Sequence, residues 1–526
     1  MRRACALVAG VVVASCGNRS EDAGRAGTVA FGGEILLARR THYQIDAYGF
    51  ERPFAGLARW LDGADTSVAT LEAVLSDCGV VDPGRTVESF FYRGRPELVR
   101  VLTEGNIDVV TLANNHVGDH GPAALVRMLD VLDAAGVGRV GAGRSLREAR
   151  APLYRKVGDA VVAFVAVSTV GADSAAGRKR AGIFFHTEAK ADELVRTVAR
   201  LVRAARRQAH VVLLLYHVSQ AGPAQPSPSR RTIVRRLIRE AKVDAVLADG
   251  SHHFRGVEVV DGRPVLHDAG HLLWDGGGGG KRSFLWMLDV DRNGVRAVRA
   301  RPVELRPGRT VPAGAAAASD VLADLLAKSS KLGARLTIAD GEARLALVPQ
   351  ELRAPPKGVF RPHATRTPTF PDPNAQPEAA GGPTDDLELV TPPLAFPNGM
   401  ELRGRRLAVA RTASGRHAIV VSTAWTTSVP VGESVTFHLS VGPPGAQDVH
   451  PDIHLPGDWL WPTTRWRPGR TVVDRYSLGA NVVLTPGQND VRLSLRVGSR
   501  EIPAVSPPDQ GPGTLLGRVE IPAAAP

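Results

Sequence analysis

Short runs of apolar residues alternate with amphipathic stretches over much of the chain, up to residue 305. An apolar run of this kind that is bounded by polar or turn-forming residues predicts a buried strand. The pattern predicts strands at residues 28–31, 107–112, 160–167, 211–215 and 245–247. Strands that alternate with helices are typical of α/β proteins, so we expect an α/β fold here.

Segments between the predicted strands carry apolar residues at helical spacing. Leu125, Met128, Leu129 and Leu132 lie at positions i, i+3, i+4 and i+7, which places them on one face of a helix. Two further helices are predicted, at residues 231–241 and 321–327.

The composition changes beyond residue 350. Residues 351–397 are rich in Pro, Thr, Gly and acidic residues, which is typical of a linker. From residue 398 to 526, short β-patterned runs are separated by Gly/Pro turns, which predicts an all-β sandwich domain. The runs are residues 417–422, 434–441, 481–484 and 491–497. We therefore place the α/β domain at residues 27–350, before the linker.

The N-terminus has the features of a bacterial signal peptide. Two arginines precede an uncharged apolar run at residues 4–14, which is too short to span a bilayer. The following VASC segment resembles a lipobox, whose cysteine, Cys16, would become lipidated. We expect a signal peptide at residues 1–16, a tether at 17–26, and export with a lipid anchor in the bacterial cell membrane or envelope. The alternative is an ordinary secretory signal that contains a cysteine.

The formal charge of +12 does not indicate a nucleic-acid-binding protein. Most of the 65 basic residues are arginines scattered along the chain, and no basic stripe with interleaved aromatic residues stands out. We therefore expect no nucleic-acid partner. Cys78 is the one cysteine beyond the signal segment, so an internal disulfide is excluded in the mature chain.

Polar residues suited to metal binding or proton transfer follow the predicted strands. They are Glu34, Glu72, Asn114, Asn115, His116, Asp119, His217, Asp249 and His252. Because the ends of neighbouring strands meet at one edge of an open α/β sheet, we expect these side chains to converge. Carboxylate and amide oxygens with imidazole nitrogens, and no thiolate, suit Mg, Mn, Fe or Zn in a hydrolytic site.

Each of these residues also has a plainer interpretation. Glu34 could be a solvated turn residue, and Asn114 and Asn115 could supply a turn that needs positive φ. His116 is harder to explain in this way, because Asp119, three residues on, can orient its imidazole for proton transfer. His271 shows no spacing that indicates a ligand.

Residues 112–121, LANNHVGDHG, resemble the ANNHxxDxG hallmark of the CapA family, known from poly-γ-glutamate capsule synthesis. Further segments resemble family motifs in the same order: residues 136–143 (GVGRVGAG), 252–259 (HHFRGVEV) and 262–265 (GRPV). The resemblance extends over residues 27–345. On these motifs the chain is identified as a member of that family, which is similar to calcineurin-like metallophosphatases.

The resemblance implies a four-layer α-β-β-α metallophosphatase-like fold with one or two divalent ions, Mn, Fe, Zn or Mg, at the strand ends. It implies metal ligands at Glu34, Glu72, Asn115, His217, Asp249 and His252. His116, oriented by Asp119, would be the general acid. The chain departs from the family pattern at several positions: Glu34, Thr70, Asp249 and His271 replace Asp, Asn, His and Asn, and Val218-Ser219 replaces Trp-Gly.

The leading hypothesis is an exported CapA-like protein with a divergent metal-dependent hydrolase-type site. It would act in the synthesis of a surface polymer such as poly-γ-glutamate or capsule, beside capsule-assembly proteins. The alternative is a non-catalytic, lipid-anchored scaffold or polymer-binding protein of the cell envelope. Trp459, Trp461 and Trp466 would then stack on the polymer, although they also fit the core of a sandwich. A phosphodiesterase or nucleotidase is a third hypothesis, which depends on fold analogy alone.

Overall fold

The computed structural model describes two long parts of the chain, one on each side of the predicted linker. The described residues are 24–79, 91–218, 225–275, 281–347, 387–411, 417–433, 435–444, 452–454, 463, 466–478, 484, 486–497, 500–504 and 514–522. Several predictions lie outside them: the signal peptide with Cys16, the tether up to residue 23, the run at 481–483, Trp459 and Trp461.

The first part, up to residue 347, mixes helices and strands. Its helices are α1 (Arg39–Tyr48), α2 (Arg52–Ala55), α3 (Ala58–Leu61), α4 (Val99–Glu104), α5 (Gly121–Ala134), α6 (Leu146–Ala149), α7 (Ala191–Ala205), α8 (Pro228–Arg239) and α9 (Ala315–Ser330). Short 3-10 turns lie at Pro96–Leu98, Ala172–Ser174 and Glu188–Lys190. Its strands are β1 (Gly27–Ile35), β2 (Thr66–Leu71), β3 (Val74–Leu75), β4 (Arg93–Gly94), β5 (Val109–Thr111), β6 (Gly138–Val140), β7 (Ala142–Gly143), β8 (Leu153–Val157), β9 (Ala160–Ser168), β10 (Gly182–Ile183), β11 (Val211–His217), β12 (Ala245–Asp249), β13 (Val257–Val260), β14 (Arg263–Leu266), β15 (His271–Leu273), β16 (Arg282–Asp291), β17 (Gly294–Arg306), β18 (Arg309–Pro312), β19 (Thr337–Ala339) and β20 (Glu342–Ala346).

Two large sheets organise this part. Sheet 1 has the order β19-β20-β17-β16-β1-β2-β5-β6, with β15 paired to β1 and β18 paired to β17. Sheet 2 has the order β13-β14-β12-β11-β9-β8. Strands β1, β2, β5 and β6 run parallel in sheet 1, as do β9, β11, β12 and β14 in sheet 2. The predicted mixture of helices with parallel strands is confirmed.

The apolar pattern of the sequence explains this arrangement. Every predicted strand of the α/β part overlaps an observed one, and each buries its apolar residues. The apolar stripe from Leu125 to Leu132 is buried on α5, as predicted. Helix α8 begins with Pro228 in its first turn, and the Ser227 side chain caps it by accepting a hydrogen bond from the Arg230 backbone N–H.

Three apolar clusters account for most of the packing in this part. One contains side chains of both sheets, such as Phe31 and Val68 from sheet 1 with Phe164 and Leu213 from sheet 2. A second joins sheet 1 to α4 and α5, and a third joins sheet 2 to α7 and α8. Both sheets therefore bury both of their faces, which is why their central strands are apolar throughout.

The second described part is β-rich. It contains β21 (Glu388–Ala395), β22 (Met400–Arg411), β23 (His417–Thr427), β24 (Thr436–Gly442), β25 (Asp452–His454), β26 (Val472–Leu478), β27 (Gly487–Val497), β28 (Arg500–Ile502) and β29 (Thr514–Ile521). Strands β21-β22-β23-β26 form one sheet, and β25-β24-β27-β28, with β29 on β27, form another. A single apolar cluster contains side chains from both sheets, including Trp425 and Phe437.

One sequence expectation about this region changes. Strand β21 lies inside residues 351–397, so strand structure begins before the boundary that composition suggested for the linker. Most of its residues are exposed or half-buried, and its two prolines interrupt any strand pattern in the sequence. Trp466 is buried within the apolar cluster, so of the two interpretations of this residue, core packing and a stacking face, the structure shows core packing.

Among the helices that the structure describes, none has the length and apolarity that crossing a bilayer requires.

Candidate metal site

The candidate site lies where the ends of the parallel strands of both sheets meet. Glu34 lies at the end of β1 and Glu72 directly after β2, while His217 and Asp249 end β11 and β12. Contacts between these side chains cross from sheet 1 to sheet 2, as between Glu72 and His217. The convergence expected from strand ends is therefore observed, and almost all of the participating side chains are buried.

Glu34 contacts two imidazoles with the same carboxylate oxygen. Its Oε2 lies 2.9 Å from Nδ1 of His252 and 2.7 Å from Nε2 of His271. These two nitrogens are 3.0 Å from each other. Glu34 is completely buried, so its charge depends on these neighbours rather than on water.

The backbone at Gly33 passes close to the backbone at Gly270, which brings Glu34 beside His271. The N–H of Glu34 donates a hydrogen bond to the carbonyl of Gly270 at 3.0 Å, and β15 continues parallel to the end of β1 with Glu34 opposite His271. A Cβ atom at Gly33 would lie 2.0 Å from the Gly270 oxygen, and φ is +70° at Gly33. Only glycine satisfies both conditions.

Glu72, Asn115 and His217 form the neighbouring part of the cluster. Nε2 of His217 lies 3.1 Å from Oδ1 of Asn115 and 3.8 Å from Oε1 of Glu72. The other oxygen of Glu72 is buried and has no hydrogen-bond partner among the described residues. Nε2 of His217 therefore lies close to an oxygen of Asn115 and an oxygen of Glu72.

Asp249 is engaged on both of its oxygens. Oδ1 lies 2.7 Å from Nδ1 of His217, and Oδ2 accepts a hydrogen bond from the Thr70 hydroxyl. A carboxylate on the far nitrogen of an imidazole fixes the tautomer and direction of the ring. The geometry thus gives Asp249 a role in orienting His217, beside its predicted role as a ligand.

The Asn-Asn-His segment is shaped by the side chain of Asn114. Its Oδ1 accepts hydrogen bonds from the backbone N–H groups of His116 and Val117, and its Nδ2 donates to the Leu71 carbonyl at the end of β2. Neither Asn114 nor Asn115 has a positive φ, so the turn is built by side-chain bonding instead.

His116 and Asp119 form the expected pair. Nδ1 of His116 lies 2.8 Å from Oδ2 of Asp119, which also accepts a hydrogen bond from the Tyr92 backbone N–H. The Tyr92 ring lies against His116 with 4.1 Å between the ring centroids. The carboxylate and the aromatic ring together hold the imidazole in one orientation.

The pKa values in the cluster reflect burial and mutual attraction. Burial alone would raise the pKa of Glu34, but attraction to His252 and His271 outweighs burial and lowers it well below its ordinary range. Burial and the charge of Glu34 raise the pKa of Glu72 to about 7. Burial likewise raises the pKa of Asp249, although His217 opposes the rise.

The imidazoles respond to the carboxylates in different ways. Burial would lower the pKa of His217, but the hydrogen bond and charge of Asp249 outweigh it and raise the value to about 9. Against the same effect of burial, Glu34 raises the pKa of His252 to about 10. Burial prevails at His271, whose pKa is lowered. At neutral pH, protonated side chains of the cluster therefore offset the negative charge of its carboxylates.

The donor set fits a divalent cation. Glu34, His252 and His271, and separately Glu34, His217 and Asp249, offer ligand atoms that all lie within 4.8 Å of one another. One buried oxygen each of Glu34 and Glu72 has no hydrogen-bond partner among the described residues. Buried carboxylates with unsatisfied oxygens, next to imidazole nitrogens, are ligands that suit Mn, Fe or Zn.

The predictions from the sequence did not include several residues of the cluster. His271 begins β15 and does not follow the end of a strand, so the positions of strand ends did not indicate it as a ligand. Trp274, three residues on, stacks on His271 with 3.9 Å between centroids and 6° between planes. Asp268 accepts hydrogen bonds from the backbone N–H groups of Ser251 and Gly270, next to the two histidines. In the sequence, the only indication of a ligand here is that residues 268–271 begin with an aspartate and end with a histidine.

Comparison with known proteins supports the resemblance. Residues 28–275 match the family described as bacterial capsule synthesis protein PGA_cap. A probable polyglutamine synthesis accessory protein of Mycobacterium tuberculosis is 29% identical over 295 residues, which cover 49% of this chain and 77% of that protein. The capsule biosynthesis protein CapA of Bacillus anthracis is 20% identical, with 61% of this chain and 77% of that protein covered. The PGA biosynthesis protein CapA of Bacillus subtilis is 25% identical, with 41% and 56% covered.

The family match ends at Asp275, so it contains the whole cluster from Glu34 to His271 and leaves out the C-terminal β-rich part. Together with the ordered motifs around the Asn-Asn-His segment, it shows that the α/β part of this chain belongs to the CapA family of capsule synthesis proteins.

Proposed function

We propose that this chain acts in the synthesis of capsule or a poly-γ-glutamate-type surface polymer, through a divergent metal-dependent hydrolase-type site. The observation that carries the proposal is the buried cluster at the strand ends, which combines the family's Asn-Asn-His segment with carboxylates and imidazoles from both sheets. The surface polymer and its assembly proteins are the partners that the relatives' names suggest.

The proposed fold of the α/β part is the four-layer α-β-β-α arrangement of metallophosphatases. It is supported by the three apolar clusters, in which the two sheets share one core and helices cover the outer faces. The two C-terminal sheets share a core in the same way, which supports a β-sandwich.

In the proposed reaction, His116 holds the proton that is delivered to the leaving group. Its Nδ1 is occupied by Asp119, and no described side chain hydrogen-bonds to its Nε2, so that nitrogen is left for a substrate. A bound divalent cation would supply Lewis-acid polarisation of the reacting phosphoryl or carbonyl group. Glu34, Glu72, Asn115, His217 and His252 would hold one or two such cations, and Asp249 would orient His217.

Gene replacement in the native bacterium tests the proposed function. We expect deletion of the gene to lower the amount of surface polymer, and the wild-type gene to restore it. His116→Ala should fail to restore it at a normal protein level, because the proton donor is missing. His417→Ala, in strand β23 far along the chain, is the matched control and should restore it.

Two outcomes would contradict the proposal in different ways. An unchanged amount of surface polymer after deletion of the gene would contradict a role in polymer synthesis. Full restoration by His116→Ala would show that the site's chemistry is not used. The result would then favour the second candidate, a non-catalytic scaffold, which agrees with the bonds that already occupy both oxygens of Asp249.

The lipid anchor is a separate part of the proposal, supported by the VASC segment at the N-terminus. Cys16→Ala should move the protein from the membrane fraction to the soluble fraction, because acylation needs the cysteine thiol. Retention of the variant in the membrane fraction would argue against the lipobox.

A further inference from the structure

We propose that Glu34, His252 and His271 are the three protein ligands of one first-row divalent cation, with His271 as a ligand that the family motifs do not supply. The proposal depends on the metal-dependent site described above, and specifies which side chains hold one ion of that site.

The distances within this triangle are those of ligands around one cation. Oε2 of Glu34, Nδ1 of His252 and Nε2 of His271 are separated by 2.7, 2.9 and 3.0 Å. Oxygen and nitrogen ligands lie about 2.1 Å from such a cation, so two ligands at right angles to each other are about 3 Å apart. The three atoms therefore match one triangular face of an octahedron.

Hydrogen bonds alone do not satisfy all three contacts. Each imidazole nitrogen carries at most one hydrogen atom and an ionised carboxylate carries none. If both nitrogens donate to Glu34, they face each other at 3.0 Å with a hydrogen atom on each. If one nitrogen is unprotonated, its lone pair points at a lone pair of the carboxylate oxygen, and the two repel each other. A cation in contact with all three atoms removes both conflicts.

The surroundings hold the triangle in place. Trp274 stacks flat on His271, and the pairing of β15 with β1 sets His271 opposite Glu34. Asp268 fixes the backbone just before both histidines. Oε1 of Glu34 is buried without a hydrogen-bond partner among the described residues, so the carboxylate has an oxygen to spare for a cation.

The position of Asp249 strengthens the assignment. Because its two oxygens are bonded to Thr70 and His217, its carboxylate is turned toward those residues. His271 thus supplies the third donor on the side of the cluster that Glu34 and His252 form. Two imidazoles and one carboxylate favour Mn, Fe, Co or Zn over Mg, which prefers an all-oxygen shell.

Cobalt titration of the mature full-length chain tests the proposal, with His271→Asn beside the matched control His253→Asn. His253 directly follows His252, and its imidazole hydrogen-bonds to the carbonyl of Ser251. Co²⁺ absorption and calorimetry report affinity without any assay of activity. We expect His271→Asn to weaken the binding of the first Co²⁺ by roughly 100-fold and to change its absorption bands, since one imidazole is lost. The control should bind as the wild type does, and excess Mg²⁺ should not displace the ion.

X-ray absorption of the wild type with one equivalent of Co²⁺ gives a second measurement that needs no variant, and we expect two imidazole ligands. Wild-type affinity and spectrum in a folded His271→Asn variant would overturn this proposal and leave the metal site itself standing. A count of fewer than two imidazoles would overturn it as well. No binding of Co²⁺ by the wild type would overturn both this proposal and the metal-dependent site.

Discussion

At the residue scale, four of the departures from the family pattern, Glu34, Thr70, Asp249 and His271, lie close together in the structure. The Thr70 hydroxyl bonds to Asp249, and Glu34 contacts His271. The imidazole that is missing at position 249 is matched by one at position 271, so the cluster keeps its mixture of carboxylates and imidazoles. The substitutions therefore change the arrangement of the donors and preserve the donor types that a cation needs.

Metal binding should release protons, because side chains of the cluster are protonated in the absence of a metal ion. The pKa values of about 9 for His217 and about 10 for His252 mean that both imidazoles are largely protonated at pH 7, and Glu72, with a pKa of about 7, is about half protonated there. A cation must displace the protons, so affinity should rise with pH from 6 to 9, by about tenfold per pH unit for each proton released. Calorimetry in buffers of different ionisation heat measures the number released.

Glu72→Gln is the matched variant for this measurement, since it removes one titrating group with little change of shape. It should release fewer protons than the wild type around pH 7. An affinity that does not depend on pH would contradict the protonated state of the cluster.

At the scale of elements, the strand ends were predictable and the connections between them were not. Buried apolar runs located β1, β5, β9, β11 and β12, and the polar residues after them pointed to the site. The sequence did not show that β15 returns beside β1, because three residues, His271–Leu273, are too short for a strand pattern. Pairings between residues more than 200 positions apart, such as Glu34 with His271, depend on tertiary packing that local patterns do not encode.

Helix α8 is tied to sheet 2 by a buried carboxylate, Glu258 of β13. Burial would raise the pKa of Glu258, but hydrogen bonds from His267, Arg231 and Arg235 outweigh it and bring the value to about 2. Burial lowers the pKa of His267, so its imidazole is neutral at pH 7 and the two arginines supply the positive charge. A lowered pKa stabilises the fold above the unfolded value of about 4.5, and this stabilisation is lost as the pH falls toward 2.

Glu258→Gln should therefore lower the free energy of unfolding by about 1–3 kcal/mol at pH 7, because two partly exposed arginines lose the buried carboxylate that pairs with them. Denaturant titrations at pH 7 and pH 3 measure the difference, which should shrink at the lower pH. Glu240→Gln, an exposed acid at the end of α8, is the control and should change stability little. Equal losses at both pH values would contradict the assigned role of the charge.

At the scale of the whole molecule, the chain has two separately packed parts. Every apolar cluster of the described residues belongs either to the part before residue 348 or to the part after residue 387. The composition shift at residue 350 indicated this division, although β21 shows that strand structure resumes before the predicted end of the linker. All residues of the metal cluster belong to the first part.

Removal of residues 348–526 should thus leave the metal cluster intact. We expect the shortened protein to bind the same number of ions per chain as the full chain, and to show one unfolding transition in calorimetry where we expect two for the full chain. A shortened protein that is folded yet binds no metal would show that the C-terminal part contributes to the site.

Metal content is the most direct test of the central claim, that the strand-end cluster of this CapA family member holds a divalent cation. The mature full-length chain is loaded in turn with Mn²⁺, Fe²⁺ and Zn²⁺, freed of loosely bound ions, and measured by elemental analysis. We predict at least one ion per chain for one of these metals, and loss of that ion in Glu34→Gln. Substoichiometric metal after each loading would contradict the claim.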